Sequence, residues 1–182
     1  MTNIRGVIGE VTETFVLSFV IIMILYGCVA SIEVVSGASM EPSFHTNERI
    51  FVDKLTPRID SYRRGDVVVL IPPGDKDIHY IKRVIGLPGE FVKIYNCKVY
   101  VVVAGDKYQI EEGYISDNVC TSGGTEVQDG RSLKIPENQY LVLGDNRPFS
   151  IDSRYIGLVR KDRILGRVAY RLWPIGKMGF IN

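Results

Sequence analysis

Polar and apolar positions divide the chain into two unlike parts. Between Glu13 and Glu33 no charged side chain occurs, and residues 14–32 are dominated by Phe, Val, Leu, Ile and Met. A helix of that length rises about 28 Å, close to the thickness of a hydrocarbon core, so the stretch predicts a transmembrane helix. Beyond it the apolar residues come in short runs rich in Val, Ile and Tyr, each closed by Pro, Gly, Asp or Asn. Residues 50–55, 66–71, 78–85, 91–94, 98–104, 139–143 and 164–172 read as strands. Turn residues such as Pro72-Pro73-Gly74-Asp75, Leu87-Pro88-Gly89, Ala104-Gly105-Asp106 and Gly144-Asp145-Asn146 separate them. Strands joined so closely must be mostly antiparallel. The pattern predicts a mainly β domain over residues 34–182, behind an N-terminal segment and anchor at 1–33. From 111 to 130 the alternation dissolves into Gly, Ser, Thr, Asp and Asn, which predicts a surface excursion.

Composition narrows the function classes. The 182 residues carry 22 Lys and Arg against 21 Asp and Glu, a net charge of +1 that gives no case for nucleic acid. Arg160, Lys161 and Arg163 cluster, but such a run is ordinarily a solvated face. A cleaved secretory signal fits poorly, because Arg5 is the one basic residue at the start and Glu10 and Glu13 follow it. The Leu25-Tyr26-Gly27-Cys28 run resembles a lipoprotein processing site only faintly, Tyr26 being bulky for one. Arg5 before the span and nothing basic after it until Arg49 favour an inside N-terminus slightly. Cys28 falls within the span. Cys97 and Cys120 form either a disulfide, worth about 3 kcal/mol in a non-cytoplasmic domain, or two separate thiols. Zinc is excluded by the absence of CxxC or HxxxH spacing, His45 and His79 being the only histidines.

Three segments could carry chemistry. Val35-Ser36-Gly37-Ala38-Ser39-Met40-Glu41-Pro42-Ser43 follows the span directly, with small residues leaving room for a substrate backbone beside Ser39. Tyr80-Ile81-Lys82-Arg83 lies in a predicted strand whose alternation puts Tyr80, Lys82 and Val84 on one face. Desolvation there would lower the Lys82 pKa from about 10.4 toward about 7 or 8, the range of a general base for a serine hydroxyl. His79 falls on the opposite strand face, and no context favours a Ser-His-Asp arrangement. In Gly144-Asp145-Asn146-Arg147-Pro148-Phe149-Ser150-Ile151-Asp152-Ser153-Arg154, an extended backbone would point Ser150, Asp152 and Arg154 the same way. Asp152 and Arg154 would then pair, leaving the Ser150 hydroxyl to orient a nearby amine.

Together these segments, with Arg64-Gly65-Asp66-Val67-Val68 and Gly86-Leu87-Pro88-Gly89, resemble the bacterial type I signal peptidases, membrane-bound Ser-Lys proteases. The resemblance implies two antiparallel β-sheet regions, shared with LexA-like self-cleaving proteases, and one N-terminal transmembrane helix. It implies that Ser39 is the nucleophile, that Lys82 is its general base and that Ser150 positions the amine. Asp152 and Arg154 match a structural pair beside the site, and Asp145 a supporting acid. The Ser39 N–H would hold the oxyanion, with a second donor left open because Gly37 stands where some members have serine. Ser43 stands where threonine is usual.

By position Val35, Met40, Tyr80 and Ile81 would line substrate pockets for small residues, and residues 97–130 form a short version of a variable insertion. The Trp173-Pro174-Ile175-Gly176 run could add to an apolar surface that meets the bilayer. The implied partners are secretory preproteins, membrane lipid and the export machinery. The implied location is the cytoplasmic membrane with the catalytic domain outside it, and no metal or cofactor is implied. Two alternatives stay open: a LexA-like self-cleaving protease, and a membrane-tethered binding module whose site has lapsed.

Overall fold

A computed structural model describes residues 4–181 apart from Ala104 and Asp117; the side chains of Arg5, Leu25, Tyr26 and Cys28 and the turn residue Ala104, all named above, lie outside the described residues. Helix α1 (Ile4–Val29) carries the apolar stretch. Its Gly6–Ile24 stretch has a mean hydropathy of 2.0, is exposed throughout among the described residues, and is long and apolar enough to cross a bilayer. The helix ends earlier than the sequence predicts. Ala30–Val34 is strand β1, paired antiparallel with β2 (Arg49–Asp53) from Ala30↔Asp53 to Val34↔Arg49, so Ile32 belongs to the sheet and not to the span. Ser31-Ile32-Glu33-Val34 alternates polar and apolar residues, and that period of two suits a strand better than a helix.

The remaining strands are β3 (Val67–Leu70), β4 (Tyr80–Gly86), β5 (Phe91–Tyr95), β6 (Lys98–Val103), β7 (Asp106–Gln109), β8 (Ser132–Lys134), β9 (Gln139–Leu143), β10 (Val159–Arg160), β11 (Ile164–Trp173) and β12 (Gly179–Phe180). They form two antiparallel sheets. The larger runs β1-β2-β11-β3-β4-β9-β10 with β12 beside β11, and the smaller runs β7-β6-β5-β8. Register shifts along β11 at 164/166, 168/170 and 171/173 bend that long strand and curl the large sheet. Short helices α2 (Thr56–Ile59) and α3 (Ser153–Ile156) sit in its connections.

Every predicted strand is present, with ends that differ by a residue or two. The five strands that alternation did not reveal are short and gain most from backbone pairing. β7, for example, is exposed along its whole length. Three apolar clusters fill the interior. One, built on Val35, Met40, Phe44, Ile50, Val69 and Ile81, lies under the Ser39 segment. A second joins β4 and β9 to the small sheet through Ile85, Val92, Ile135 and Leu141, and a third packs Tyr62, Val68, Leu70 and Tyr140. The 111–130 excursion is not wholly at the surface, because Thr121 and Val127 are each 1% exposed. A polar composition concealed this, since what draws the segment inward is a disulfide and an arginine.

Candidate active site

Ser39 begins a tight helical turn, with the Phe44 N–H donating to the Met40 carbonyl at 2.9 Å. Gly37 supplies the approach to that turn with φ of +89°, a conformation that costs little only without a Cβ. Met40 is fully buried and anchors the turn in the apolar cluster, while Ser39 is left part-exposed at its rim. No hydrogen bond among the described residues uses the Ser39 N–H, so it stays free beside its own hydroxyl.

Lys82 reaches this rim from β4. The strand pairs with β3 on one side (Val68↔Lys82), but its pairing with β9 begins only at Arg83↔Leu143, which leaves the opposite edge of Tyr80–Lys82 open. The Lys82 amine donates to the Ser39 hydroxyl at 2.8 Å and to the Ile81 carbonyl at 2.9 Å. The residue is only 3% exposed, and the Tyr80 ring covers the amine with its centroid at 5.1 Å. Burial lowers its pKa to about 8, against the opposing pull of Asp152 and Asp145 and with some help from Arg154. Burial outweighs the two carboxylates, each of which is paired with an arginine.

Those neutralising pairs are buried and two-pronged. Arg83 donates to Asp145 through Nε at 2.9 Å and Nη2 at 2.7 Å. Arg154 donates to Asp152 through Nε and Nη2, both at 2.8 Å. Asp152 also accepts from the Gly144 N–H at 2.9 Å and from the Arg154 N–H at 3.2 Å, which makes it the N-cap of α3. The segment is therefore not extended as the alternation suggests. A 3-10 turn over Arg147–Phe149 and the capped helix bring Asp152 and Arg154 together, with capping rather than strand parity setting the geometry.

The same loop holds the Ser39 backbone. Asn146 donates from its main chain to the Ser39 carbonyl and from its side chain to the Ala38 carbonyl, both at 3.0 Å. Gly144 allows this closeness, since a Cβ there would collide with both the Ser39 carbonyl and the Ser150 hydroxyl. Ser150 is thus next to the Ser39 peptide. Its buried hydroxyl makes no hydrogen bond, and the Lys82 amine makes none to it.

The structure brings together Ser39, Lys82, Ser150, Asp145, Asp152 and Arg154. Val35, Met40 and Ile81 share one buried cluster beside them, whereas Tyr80 packs against the third cluster and over the lysine amine. Among the described residues neither histidine hydrogen-bonds the serine hydroxyl; His79 Nδ1 lies 3.4 Å from Glu33 and His45 Nδ1 3.6 Å from Glu48. Several contributors had no role assigned from sequence. Arg83, Asn146 and Arg147 stand inside the motif runs, where their types alone could have drawn notice, but Glu112, Tyr114 and Thr121 lie in the aperiodic tract and carry no signal.

A family model described as signal peptidase, peptidase S26, matches residues 8–173. Signal peptidase I S of Bacillus subtilis is 35% identical over 178 residues, covering 95% of this chain and 93% of its own. A probable signal peptidase I-2 of Synechocystis is 34% identical over 178 residues, covering 95% and 77%. A solved signal peptidase I from Enterococcus faecalis is 31% identical with a TM-score of 0.49, covering 60% of this chain and 98% of the other. With a match spanning nearly all of its length, the chain belongs to the signal peptidase family, peptidase S26, and is a signal-peptide-cleaving enzyme.

Proposed function

We propose that Ser39 and Lys82 form the catalytic dyad of this peptidase and act in acyl transfer. The observation that carries the reading is the buried 2.8 Å contact between the Lys82 amine and the Ser39 hydroxyl, at a lysine whose pKa burial has lowered to about 8. Once the amine is neutral, the bond runs the other way: the hydroxyl donates to the nitrogen lone pair. Lys82 takes that proton as Ser39 Oγ attacks the scissile carbonyl, and then delivers it to the leaving amine. A water that gives its proton to the same nitrogen attacks the acyl-Ser39 carbonyl, and the cleaved signal peptide departs as the serine recovers its hydrogen. The free Ser39 N–H is aimed to bind the oxyanion. The unpartnered Ser150 hydroxyl, set beside the same peptide, is in this reading an acceptor for one remaining Lys82 N–H. Asp145, Asp152 and Arg154 hold the loop that carries it.

An extended peptide has a place to bind. Among the described residues β1 is unpaired on its outer edge, and so are residues 80–82 of β4 on the side of β9. The Glu33–His79 contact at 3.4 Å brings these two edges within reach of each other. A preprotein strand added between them would deliver its scissile bond to Ser39. Val35, Met40 and Ile81 form a buried apolar floor beneath this cleft, and in this reading that floor limits the first and third residues before the cut to small side chains.

Membrane placement belongs to the same proposal, with residues 1–33 as anchor and 34–182 as an extracytoplasmic catalytic domain. The Cys97–Cys120 disulfide suits an oxidising compartment. Trp173, Ile175 and Phe180 are 49%, 70% and 81% exposed near the C-terminus, an apolar surface fit for lipid. Contact with the export machinery follows if preproteins are cut as they emerge. The test is cleavage of a preprotein by the full chain in detergent. Wild type should cut after a small residue while Ser39→Ala and Lys82→Ala do not; equal activity in all three would refute the dyad.

A further inference from the structure

The 97–130 insertion reaches the back of the site through one arginine. Arg147 has a fully buried side chain whose donors go to two places. Its Nε donates to the Gly144 carbonyl at 2.9 Å, within the loop that holds Ser39. Its other nitrogens donate into the insertion, to both carboxylate oxygens of Glu112 and to the Thr121 hydroxyl. Glu112 also accepts the Tyr114 hydroxyl at 2.6 Å, and the Tyr114 ring lies 4.0 Å under the guanidinium of Arg83, the residue after Lys82.

Thr121 is itself tied down. Its N–H donates to the Cys97 carbonyl at 3.1 Å, and its neighbour Cys120 is disulfide-bonded to Cys97 at the β5–β6 turn. Asn96 and Cys97 both have positive φ, as a tight hairpin turn requires, so this end of the tether is on a firm strand pair. Hydrogen bonds therefore link the disulfide through Thr121 and Arg147 to Gly144, and the chain from Gly144 to Asn146 carries the link on to the Ser39 carbonyl.

We infer that Glu112 and Thr121 are positioning residues for the peptidase reaction, holding Arg147 and through it the Ser39 loop, and that the Cys97–Cys120 disulfide keeps Thr121 in place for this. The inference rests on the function proposed above. A polar partner withdrawn from a buried guanidinium leaves an N–H unsatisfied, and the loop relaxes to satisfy it. The hydrogen bonds of Glu112, Thr121 and Arg147 run to one another, to Tyr114, Gly144 and Cys97 and not to β1 or to residues 80–82, so the loss falls on kcat rather than on substrate binding. A dithiol reductant acts at the same point: two electrons and two protons open Cys97–Cys120 to two thiols, while the reagent closes to its own disulfide.

The experiment measures kcat and KM for preprotein cleavage by the full chain in detergent micelles. Thr121→Val and Glu112→Gln should lower kcat about tenfold with KM unchanged within about twofold, and Thr121→Ser, which keeps the hydroxyl, should stay near wild type. Dithiol-treated wild type should lose kcat and regain it on reoxidation, whereas a Cys97→Ser/Cys120→Ser chain should be slow and indifferent to the reductant. Reduction and reoxidation decide the matter even if a variant fails to fold. The inference is overturned if kcat in Thr121→Val and in reduced wild type stays at the untreated value, or if KM alone rises. Wild type with no cleavage dependent on Ser39 would instead overturn the underlying function, and the inference with it.

Discussion

Lys82 and the three arginines Arg83, Arg147 and Arg154 are neighbouring buried cations with opposite surroundings. Each arginine has a carboxylate to itself, Asp145, Glu112 and Asp152 in turn. Lys82 has none: its amine meets a hydroxyl and a carbonyl. A guanidinium keeps its charge in any protein setting, so its burial demands a matching anion, and its planar fork suits the two-pronged pairs seen here. A lone ammonium can instead give up its proton when the surroundings are dry. The lesson is that burial draws the Lys82 pKa down to about 8 against Asp145 and Asp152, while those carboxylates are each paired with an arginine and neither pairs with the lysine.

Exchanging the two kinds of cation should have the largest effect. Lys82→Arg retains charge and length but cannot serve as a base, and cleavage should fall by about four orders of magnitude or more, as for Ser39→Ala. Detectable turnover close to wild type in a preprotein assay would mean that the amine is not the base.

Removing one arginine sharpens the contrast from the other side. Arg154→Met leaves Asp152 buried without its counter-ion, at a cost of about 3–5 kcal/mol in denaturant unfolding. The freed carboxylate should also hold the Lys82 proton more tightly, moving the midpoint of the pH–rate profile of the folded fraction above the wild-type value. A midpoint that stays put would show that Asp152 does not act on the lysine.

For the wild type, kcat/KM should climb about tenfold per pH unit up to a midpoint near 8 and then level off, since only the neutral amine accepts the serine proton. A profile still climbing at about pH 10, the ordinary lysine range, would contradict the lowered pKa.

The smallest effect is on stability. Below pH about 8 Lys82 is charged in both the folded and the unfolded chain, and burying that charge costs stability. Between there and about 10.4 the folded chain has released a proton that the unfolded chain retains, so this contribution to stability rises with pH. Lys82→Met should accordingly raise the melting temperature most below pH about 8, with the advantage shrinking toward pH about 10. A constant difference across that window would count against a neutral buried amine.

What the sequence revealed and what it concealed have a physical division. Ser39, Lys82, Asp145, Ser150, Asp152 and Arg154 lie in compact runs, each of which folds as one local unit, a turn, a strand or a capped loop, and the spacing in the chain survives in space. The strands with alternating Val and Ile were equally legible. The Lys82 edge, by contrast, depends on where β9 stops pairing, and β1 was hidden because its short alternation follows the uncharged run of the span without a turn residue between them. Glu112 and Thr121 were invisible because their partner Arg147 is 35 and 26 residues away in the chain.

The central claim is tested most directly by titrating the Lys82 amine itself. In the full chain carrying lysine labelled at the side-chain terminus, with the Lys82 resonance identified by its loss in Lys82→Arg, nuclear magnetic resonance should give a midpoint near 8. A midpoint at about 10 or above, the value of a lysine in water, would contradict the account.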